Sequence, residues 1–185
     1  MKFTGGSIAG VWLIDLEPRA DERGYFARTW CEKEFEAHGL STRIAQANTG
    51  VSPRRGTLRG MHYQEAPHGE AKLVRCTRGR IHDVALDLRR DSPAFRRHVA
   101  VELSAENRLA LHLPPGVAHG FLTLEDGCEV AYQMSEFFDP SAGRGVRFDD
   151  PAFAIAWPGR IELVSAQDRS WPDYAGIDAS RRNSQ

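Results

Sequence analysis

The strongest constraint on the fold is a series of short, partly alternating apolar runs separated by turn-like segments. Alternation of apolar and polar side chains is the period of a strand with one buried face. The separating segments are rich in Gly, Pro, Asn and Asp, and they recur about every ten residues, as in an antiparallel sandwich or barrel. The runs begin at Val11, Lys72, Arg80, His98, Arg108 and Cys128. The pattern therefore predicts an all-β protein.

A single segment is typical of a helix. It is CEKEFEAHG, residues 31–39, in which Gly39 is placed as the C-terminal stop. The 185 residues are enough for one hydrophobic core, and no repeat, linker or glycine-rich phosphate loop divides them. We therefore predict one domain over residues 1–185, with one or two short helices and a loosely held polar tail from about residue 173.

Composition excludes several classes of partner. The chain carries 24 Lys+Arg against 25 Asp+Glu, so it lacks the overall basicity that binds nucleic acid or anionic membranes. The chain has an odd number of cysteines, and none of them has CxxC spacing, which argues against a disulfide framework and against a zinc site. They are Cys31, Cys76 and Cys128. The first residues lack the features of a signal peptide, and no segment has a membrane-spanning length. We expect a cytoplasmic protein without a nucleic-acid or membrane partner.

The segment LRGMHYQ, residues 58–64, contains the first candidate for chemistry. A lone histidine in a strand-rich chain is more often a hydrogen-bonded structural group than a catalyst, so its neighbours decide how His62 is interpreted. Arg59 lies three residues before it and Lys72 ten residues after it. If adjacent strands bring the three together, two cations and a titratable base share a cavity suited to an anionic substrate. Salt bridges to nearby acids are the alternative interpretation.

Two further segments contain candidate binding residues. PPGVAHGF, residues 114–121, delivers His119 at the start of a strand, and DERGYFART, residues 21–29, offers Arg23 to a phosphate and Phe26 to a base or sugar. A metal centre needs about three or four His or carboxylate ligands, usually including a His-x-His pair. LRGMHYQ contains one histidine, so we expect no metal.

Eight motifs, in order along nearly the whole chain, resemble the dTDP-4-dehydrorhamnose 3,5-epimerase family. They are DERGYF at Asp21, QAN at Gln46, GTLRGMHYQ at Gly56, KLVRCTRGRIHDVALDLRRDSPAF at Lys72, PPGVAHGFLTLED at Pro114, AYQMSEFFDP at Ala131, GVRFDDPAFAIAWP at Gly145 and VSAQD at Val164. The resemblance implies a cupin-type antiparallel β jelly roll and a homodimer. It also implies a nucleoside-diphosphate 4-keto-6-deoxy sugar as substrate and no metal or organic cofactor.

The resemblance assigns catalytic roles to four residues. His62 is the base that removes a proton beside the C4 ketone, and Asp168 orients its ring. Lys72 lies near the C4 oxygen, and Tyr132 is the proton donor on the opposite face. An aromatic that only lines the barrel is the alternative for Tyr132. Asp83 is expected to support His62 or Lys72.

The resemblance also assigns substrate-binding positions. These are Arg23 and Arg59 for the diphosphate, with Arg23 supplied by the same or the partner subunit, Gln46 and Asn48 for polar contacts, Phe26 for base stacking and His119 for the sugar. Three residues depart from the family pattern. Arg28 replaces a common glutamate and Phe138 a common tyrosine at two further substrate-binding positions. Gln167 replaces a common lysine or arginine, so the nucleotide preference and the number of inverted carbons stay open.

Three classes of alternative function remain open. A monoepimerase or a 3,4-ketoisomerase would use the same enolate and differ in where the proton returns. A non-catalytic sugar-binding cupin has no need of an acid and a base on opposite faces, so the four catalytic candidates together argue against it. A metal-dependent dioxygenase-type cupin is the third, and elemental analysis tests it.

Overall fold

The computed structural model describes residues 1–174, and there the chain is built mainly from antiparallel strands. The elements in chain order are β1 (Lys2–Gly5), β2 (Trp12–Asp15), β3 (Arg19–Asp21), β4 (Gly24–Phe26), α1 (Glu32–Ala37), β5 (Gln46–Ser52), β6 (Thr57–Gln64), β7 (Lys72–Arg78), β8 (Arg80–Asp87), β9 (His98–Ser104), β10 (Ala110–Leu113), β11 (Val117–Thr123), β12 (Cys128–Met134), β13 (Gly143–Gly145), β14 (Leu163–Val164) and α2 (Ala166–Ser170). The all-β prediction is confirmed.

The strands form two sheets and a separate hairpin. Sheet I has the order β1-β2-β10-β7-β12-β5. Sheet II has the order β13-β6-β11-β8-β9, and β14 adds a short parallel pairing to β6. The hairpin β3–β4 belongs to neither sheet. Each of the six predicted apolar runs contains a strand, which confirms the alternation as a strand signal.

The two sheets pack face to face around one shared apolar core. Val74 and Val130 of sheet I meet Ile81 and Phe121 of sheet II in this inner cluster. A second cluster covers the outer face of sheet II and includes Met61. Successive residues of a strand point to opposite faces, so these clusters define which side chains face the space between the sheets.

The predicted helix is present as α1. It ends at Ala37, and Gly39 follows with φ +68°, the left-handed conformation that glycine adopts without a Cβ clash. Phe35 of α1 is 1% exposed and packs on the outer face of sheet I beside Ile14 and Leu73. Burial of such a side chain stabilises the fold by roughly 1.5–3 kcal/mol.

Two of the three cysteines are core residues. Cys76 and Cys128 are buried, and Cys31 is partly exposed. Burial raises the pKa of the Cys76 thiol to about 12, so it stays protonated and unreactive at neutral pH.

The predicted C-terminal tail is described only at its start. Asp173 pairs with Arg147 at 2.7 Å, and the Tyr174 N–H donates to Asp150 at 2.7 Å. The remainder of the predicted tail lies outside the described residues. No helix within residues 1–174 is long and apolar enough to cross a membrane.

Strands β6 and β11 approach unusually closely where two glycines face each other. Gly60 has φ +129°, and a Cβ placed on it would lie 2.4 Å from the Cα of Gly120. The pairing register shifts at this point, between His119 and Phe121, and it sets His62 directly opposite His119. The glycine pair therefore brings two histidines together on adjacent strands.

We expect Gly60→Ala to lower the free energy of unfolding by at least about 3 kcal/mol, because it adds both backbone strain and a backbone clash. Urea unfolding followed by tryptophan fluorescence measures the change. Gly50→Ala in β5 is the matched control, since a Cβ there meets no atom within 4 Å. Its expected effect is below about 1 kcal/mol. Equal effects of the two substitutions would contradict the close approach of β6 and β11.

Candidate active site

Four predicted catalytic residues come from three strands and the last helix. His62 follows Met61, which lies in the outer cluster of sheet II, so the His62 side chain points into the space between the sheets. Tyr132 of sheet I packs against the inner cluster. The two side chains therefore extend from opposite sheets into the same space, which we call the cleft.

His62 is joined to Asp168, which α2 carries to the edge of sheet II. Nε2 of His62 lies 2.6 Å from Oδ1 of Asp168, whose side chain is 5% exposed. The Gly60 N–H donates to Oδ2 at 3.3 Å, and the Asp168 N–H donates to the Ser165 hydroxyl, which caps α2. The carboxylate is thus fixed from both sides, and the His62 ring is oriented by it.

The environment of Asp168 favours its ionised form. Burial by itself raises the pKa of a carboxyl group. The hydrogen bond and charge of His62, with the bond from the Gly60 N–H and the contact with Ser165, outweigh burial and hold the pKa of Asp168 below its usual value. Asp168 is therefore a carboxylate at neutral pH and stabilises a positive charge on the His62 ring.

Lys72 connects the two sheets at the cleft. Its side chain is 12% exposed, and Nζ donates to the backbone oxygen of His62 at 3.3 Å. Nζ also pairs with Oε1 of Glu70 at 2.9 Å. Lys72 of β7 lies opposite Met134 of β12, so their side chains are on the same face of sheet I. Tyr132 is two residues from Met134 on β12, so it shares that face with Lys72.

His119 has its own carboxylate partner, and the prediction for Asp83 is wrong. Nε2 of His119 lies 2.6 Å from Oδ1 of Asp83, which is fully buried. Asp83 was expected to support His62 or Lys72. It lies on β8, and β11 separates that strand from β6. The nearest histidine across the ladder is therefore His119, so the cleft contains two His–Asp pairs side by side.

Arg59 bridges the sheets at the rim of the cleft. Its Nε donates to the Ser52 hydroxyl at 3.1 Å and its Nη2 to the Val51 backbone oxygen at 3.1 Å. Asn48 is exposed on the cleft face of β5, opposite Tyr132 in the pairing register. Both residues therefore lie where a ligand entering the cleft would meet them.

Gln46 and Gln64 hold the segment 137–139 at the rim. Gln46 Oε1 accepts the Phe138 N–H at 2.7 Å, and Gln64 Oε1 accepts the Asp139 N–H at 2.7 Å. Gln64 also donates to the backbone oxygens of Phe137 and His68. The Phe138 ring, 64% exposed, is thus presented from a segment fixed by both sheets. Gln64 was not predicted from the sequence, although its position two residues after His62, on the same face of one strand, was a usable signal.

The hairpin residues make no contact with the cleft in the described part of this chain. Arg23 forms a bidentate pair with Asp21, from Nε to Oδ1 and from Nη2 to Oδ2, and its side chain is 84% exposed. Phe26 is 72% exposed. Nη1 of Arg28 lies 3.6 Å from Oε1 of Glu34 on α1. The charge of Arg28 therefore faces α1, and one copy of the chain does not bring Arg23, Phe26 or Arg28 to His62.

Among residues 1–174, no three His, Cys, Asp or Glu side chains are grouped so that they could hold a metal ion. The two His–Asp pairs use their carboxylates on histidine nitrogens instead. The arrangement suits proton transfer, since the His62 ring is oriented by a carboxylate, and Tyr132 and Lys72 lie on the face of sheet I that borders the same cleft.

Comparison with known proteins agrees with this geometry. The model of a family described as dTDP-4-dehydrorhamnose 3,5-epimerase matches residues 6–176. A protein of that name from Methanothermobacter thermautotrophicus is 43% identical over 174 residues, which cover 92% of each chain. The chain belongs to the dTDP-4-dehydrorhamnose 3,5-epimerase family. Membership makes it an isomerase of the epimerase type, with the cupin-type β fold of its structural neighbours.

Two other relatives of this epimerase family are informative. A dTDP-4-dehydrorhamnose 3-epimerase from Streptomyces niveus is 41% identical and covers 91% of this chain and 82% of its own. The crystal structure of dTDP-6-deoxy-D-glucose-3,5-epimerase from Legionella pneumophila, in complex with dTDP-4-keto-L-rhamnose, has a TM-score of 0.90 and 34% identity, covering 97% of this chain and 95% of that one. The relatives thus include enzymes named for one inverted carbon and for two.

Proposed function

We propose that this chain epimerises a nucleoside-diphosphate 4-keto-6-deoxyhexose at the carbons beside its C4 ketone, with dTDP-4-keto-6-deoxyglucose as the default substrate. The observation that carries the proposal is the 2.6 Å contact between His62 and Asp168 in a cleft that Tyr132 enters from the opposite sheet. We also propose that residues 1–185 act as one catalytic domain, for which a single cooperative unfolding transition is the test.

The reaction begins with proton removal. The C4 ketone acidifies the hydrogens on C3 and C5, because the resulting carbanion is delocalised into the carbonyl as an enolate. His62 accepts the proton, and Asp168 stabilises the imidazolium that forms while holding the ring in place. The buried, ionised Asp168 supports this role, since a neutral carboxyl group would stabilise the imidazolium less.

The reaction ends with proton return on the other face. Lys72 places a positive charge beside the developing C4 oxyanion, and such a charge acts strongly in a site with little water. Tyr132 then donates its phenolic proton to the carbon from the side opposite His62. Removal on one face and return on the other inverts the centre.

The binding residues divide by their position at the cleft. Arg59 supplies a charge at the rim for the diphosphate, and Asn48 and His119 supply polar contacts inside. The contact of Gln46 Oε1 with the Phe138 N–H supports a role in fixing the rim, and we propose that the NH2 of the same amide donates to the ligand. The sugar-nucleotide complex of the Legionella pneumophila relative supports this class of substrate.

The second candidate is inversion at one carbon only. Phe138 supports it, because its ring stands at the rim without the hydroxyl that a tyrosine would offer to the sugar. The Streptomyces niveus relative, named as a 3-epimerase, shows that the family includes this activity. A 3,4-ketoisomerase would run through the same enolate and is separated by product analysis.

The experiment is proton NMR of dTDP-4-keto-6-deoxyglucose incubated with the enzyme in deuterated water. Deuterium entering both C3 and C5, with inverted product, is the expected result. Exchange and inversion at one carbon would establish the monoepimerase instead. An absence of exchange would contradict catalysis on this substrate. Binding of the ligand, detected by saturation-transfer NMR, without any exchange would favour a sugar-binding cupin.

We infer a homodimer from the hairpin β3–β4. All six of its strand residues are exposed, including Tyr25 at 56% and Phe26 at 72%. Within its own chain the hairpin contacts Arg108, whose guanidinium carbon lies 4.7 Å from the centroid of the Tyr25 ring. A two-stranded hairpin is marginally stable in water, so it needs a further surface to pack against. A second copy supplies that surface, and Arg23 and Phe26 then reach the diphosphate and the base in the partner's cleft.

We expect sedimentation equilibrium to give the mass of two chains, and Phe26→Asp to weaken the dimer at least about tenfold, because it places a charge in an apolar contact. Val51→Asp is the control, as it adds a charge to another exposed apolar position, on β5. A monomeric wild type with full activity would contradict the inference.

We further infer a cytoplasmic location. The three cysteines are unpaired, although Cys31 is partly exposed, and unpaired thiols are typical of a reducing compartment. Fractionation of cells expressing the protein, followed by immunodetection, measures its compartment. Recovery with secreted or membrane fractions would contradict this location.

A further inference from the structure

We propose that Glu70, which no part of the proposed mechanism uses, is a positioning residue that fixes the Lys72 ammonium group toward the C4 oxygen of the substrate. The inference rests on the proposed function, since it assumes that Lys72 acts on that oxygen. It concerns a carboxylate with 6% of its side chain exposed, in contact with a catalytic candidate.

The contacts of Lys72 leave one direction free. An ammonium group has three N–H donors in a tetrahedral arrangement. One donates to the His62 backbone oxygen at 3.3 Å and one pairs with Oε1 of Glu70 at 2.9 Å. Because two donors are committed to fixed acceptors, the third has a defined direction. Without Glu70, only the hydrogen bond to the His62 backbone oxygen would hold the ammonium group, and the flexible lysine side chain could take several orientations.

The backbone around Glu70 is itself fixed. The N–H of Ala71 donates to the Ser135 hydroxyl at 2.8 Å, and the Ser135 N–H donates to the Ala71 backbone oxygen at 2.9 Å. Ala71 is 5% exposed. Glu70 and Lys72 flank this clamped residue, so the acceptor that Glu70 offers stands on a rigid support.

The second oxygen of Glu70 argues for a role beyond stability. Oε2 is buried and has no hydrogen-bond partner among the described residues. An unpaired buried acceptor is unfavourable for folding. The carboxylate also places a negative charge near a developing oxyanion, which by itself opposes catalysis. Glu70 is therefore unfavourable both for folding and for the charge of the site, which is consistent with a residue that acts by orienting the Lys72 ammonium group.

The test compares Glu70→Ala with Glu70→Gln in the full-length enzyme, by kcat and KM for dTDP-4-keto-6-deoxyglucose. The alanine variant is expected to lose about ten- to a hundredfold in kcat with KM within threefold of wild type, because the diphosphate contacts are elsewhere. The glutamine variant keeps an oxygen acceptor for Lys72 and is expected to recover kcat to within about fivefold of wild type.

Glu65→Ala is the matched control, because it removes an ion pair from the same connection, with Arg144 at 3.0 Å, without touching Lys72. It is expected to keep wild-type kcat. If Glu70→Ala does not fold, Glu70→Met replaces it, since methionine fills a similar volume without an acceptor.

Three results would overturn the inference. They are a kcat within twofold of wild type for the alanine or methionine variant, equal losses for the acceptor-free and glutamine variants, and a loss confined to KM. Inactivity of the wild-type enzyme on this substrate would instead count against the proposed function. The parallel wild-type measurement therefore separates the two failures.

Discussion

His62→Ala is expected to reduce deuterium incorporation into the substrate by about a thousandfold, because it removes the group that takes the proton. Two observations support this residue as the base: its 2.6 Å contact with the buried Asp168, and the position of Tyr132 on the opposite sheet. The rate of exchange in deuterated water, followed by proton NMR, measures the loss for both carbons at once. Neither substrate binding nor folding should change, since Arg59 and the inner core are untouched.

His98→Ala is the control for this result. His98 lies on β9, at the edge of sheet II, and removing it should leave the exchange rate within twofold of wild type. Exchange by His62→Ala at a tenth of the wild-type rate or faster would assign the base elsewhere. His119, beside His62 in the register and paired with Asp83, would then be the next residue to replace.

Tyr132→Phe is expected to separate proton removal from inversion. His62 remains able to remove a proton and to return a deuteron from solvent on the same face, so recovered substrate should become labelled. Return from the opposite face should fall by about a hundredfold or more, because the donor hydroxyl is gone. The expected spectrum therefore contains deuterated substrate with its original configuration and little inverted product.

Tyr63→Phe is the matched control for the loss of a hydroxyl. Tyr63 follows His62 on β6 and packs against the outer cluster of sheet II, away from the cleft. Its expected rate of inversion equals that of wild type. Inversion by Tyr132→Phe at the wild-type rate would contradict the donor role and leave Tyr132 as a residue that only lines the barrel.

The sequence predicted the elements well, because their signals are local. Alternation in the six apolar runs predicted strands, and Gly39 predicted the end of α1, since each depends on residues a few positions apart. The pairing order of the strands is a long-range property. Asp83 was given the wrong partner for this reason, because β11 separates β8 from β6.

The candidate site was predictable in part. His62 and Asp168 are 106 residues apart, and the resemblance to a family named both of them, which no local pattern would have paired. Gln64 and Glu70 were not predicted. Gln64 binds backbone groups of a loop, and Glu70 binds Lys72, whose side-chain direction cannot be read from the sequence. Arg23 and Phe26 of the hairpin were predicted as binding residues, but the cleft that we expect them to reach belongs to a second copy of the chain.

The position of α2 has a consequence for how the enzyme is made. Every strand within residues 1–174 precedes Asp168 in the chain, so a ribosome has synthesised all of them before the partner of His62 is added. A growing chain thus carries its histidine unoriented until residues 165–170 emerge. A protease that removes those residues would also remove Asp168 and leave His62 without its partner, while the strands remain. Loss of activity would therefore report the loss of α2.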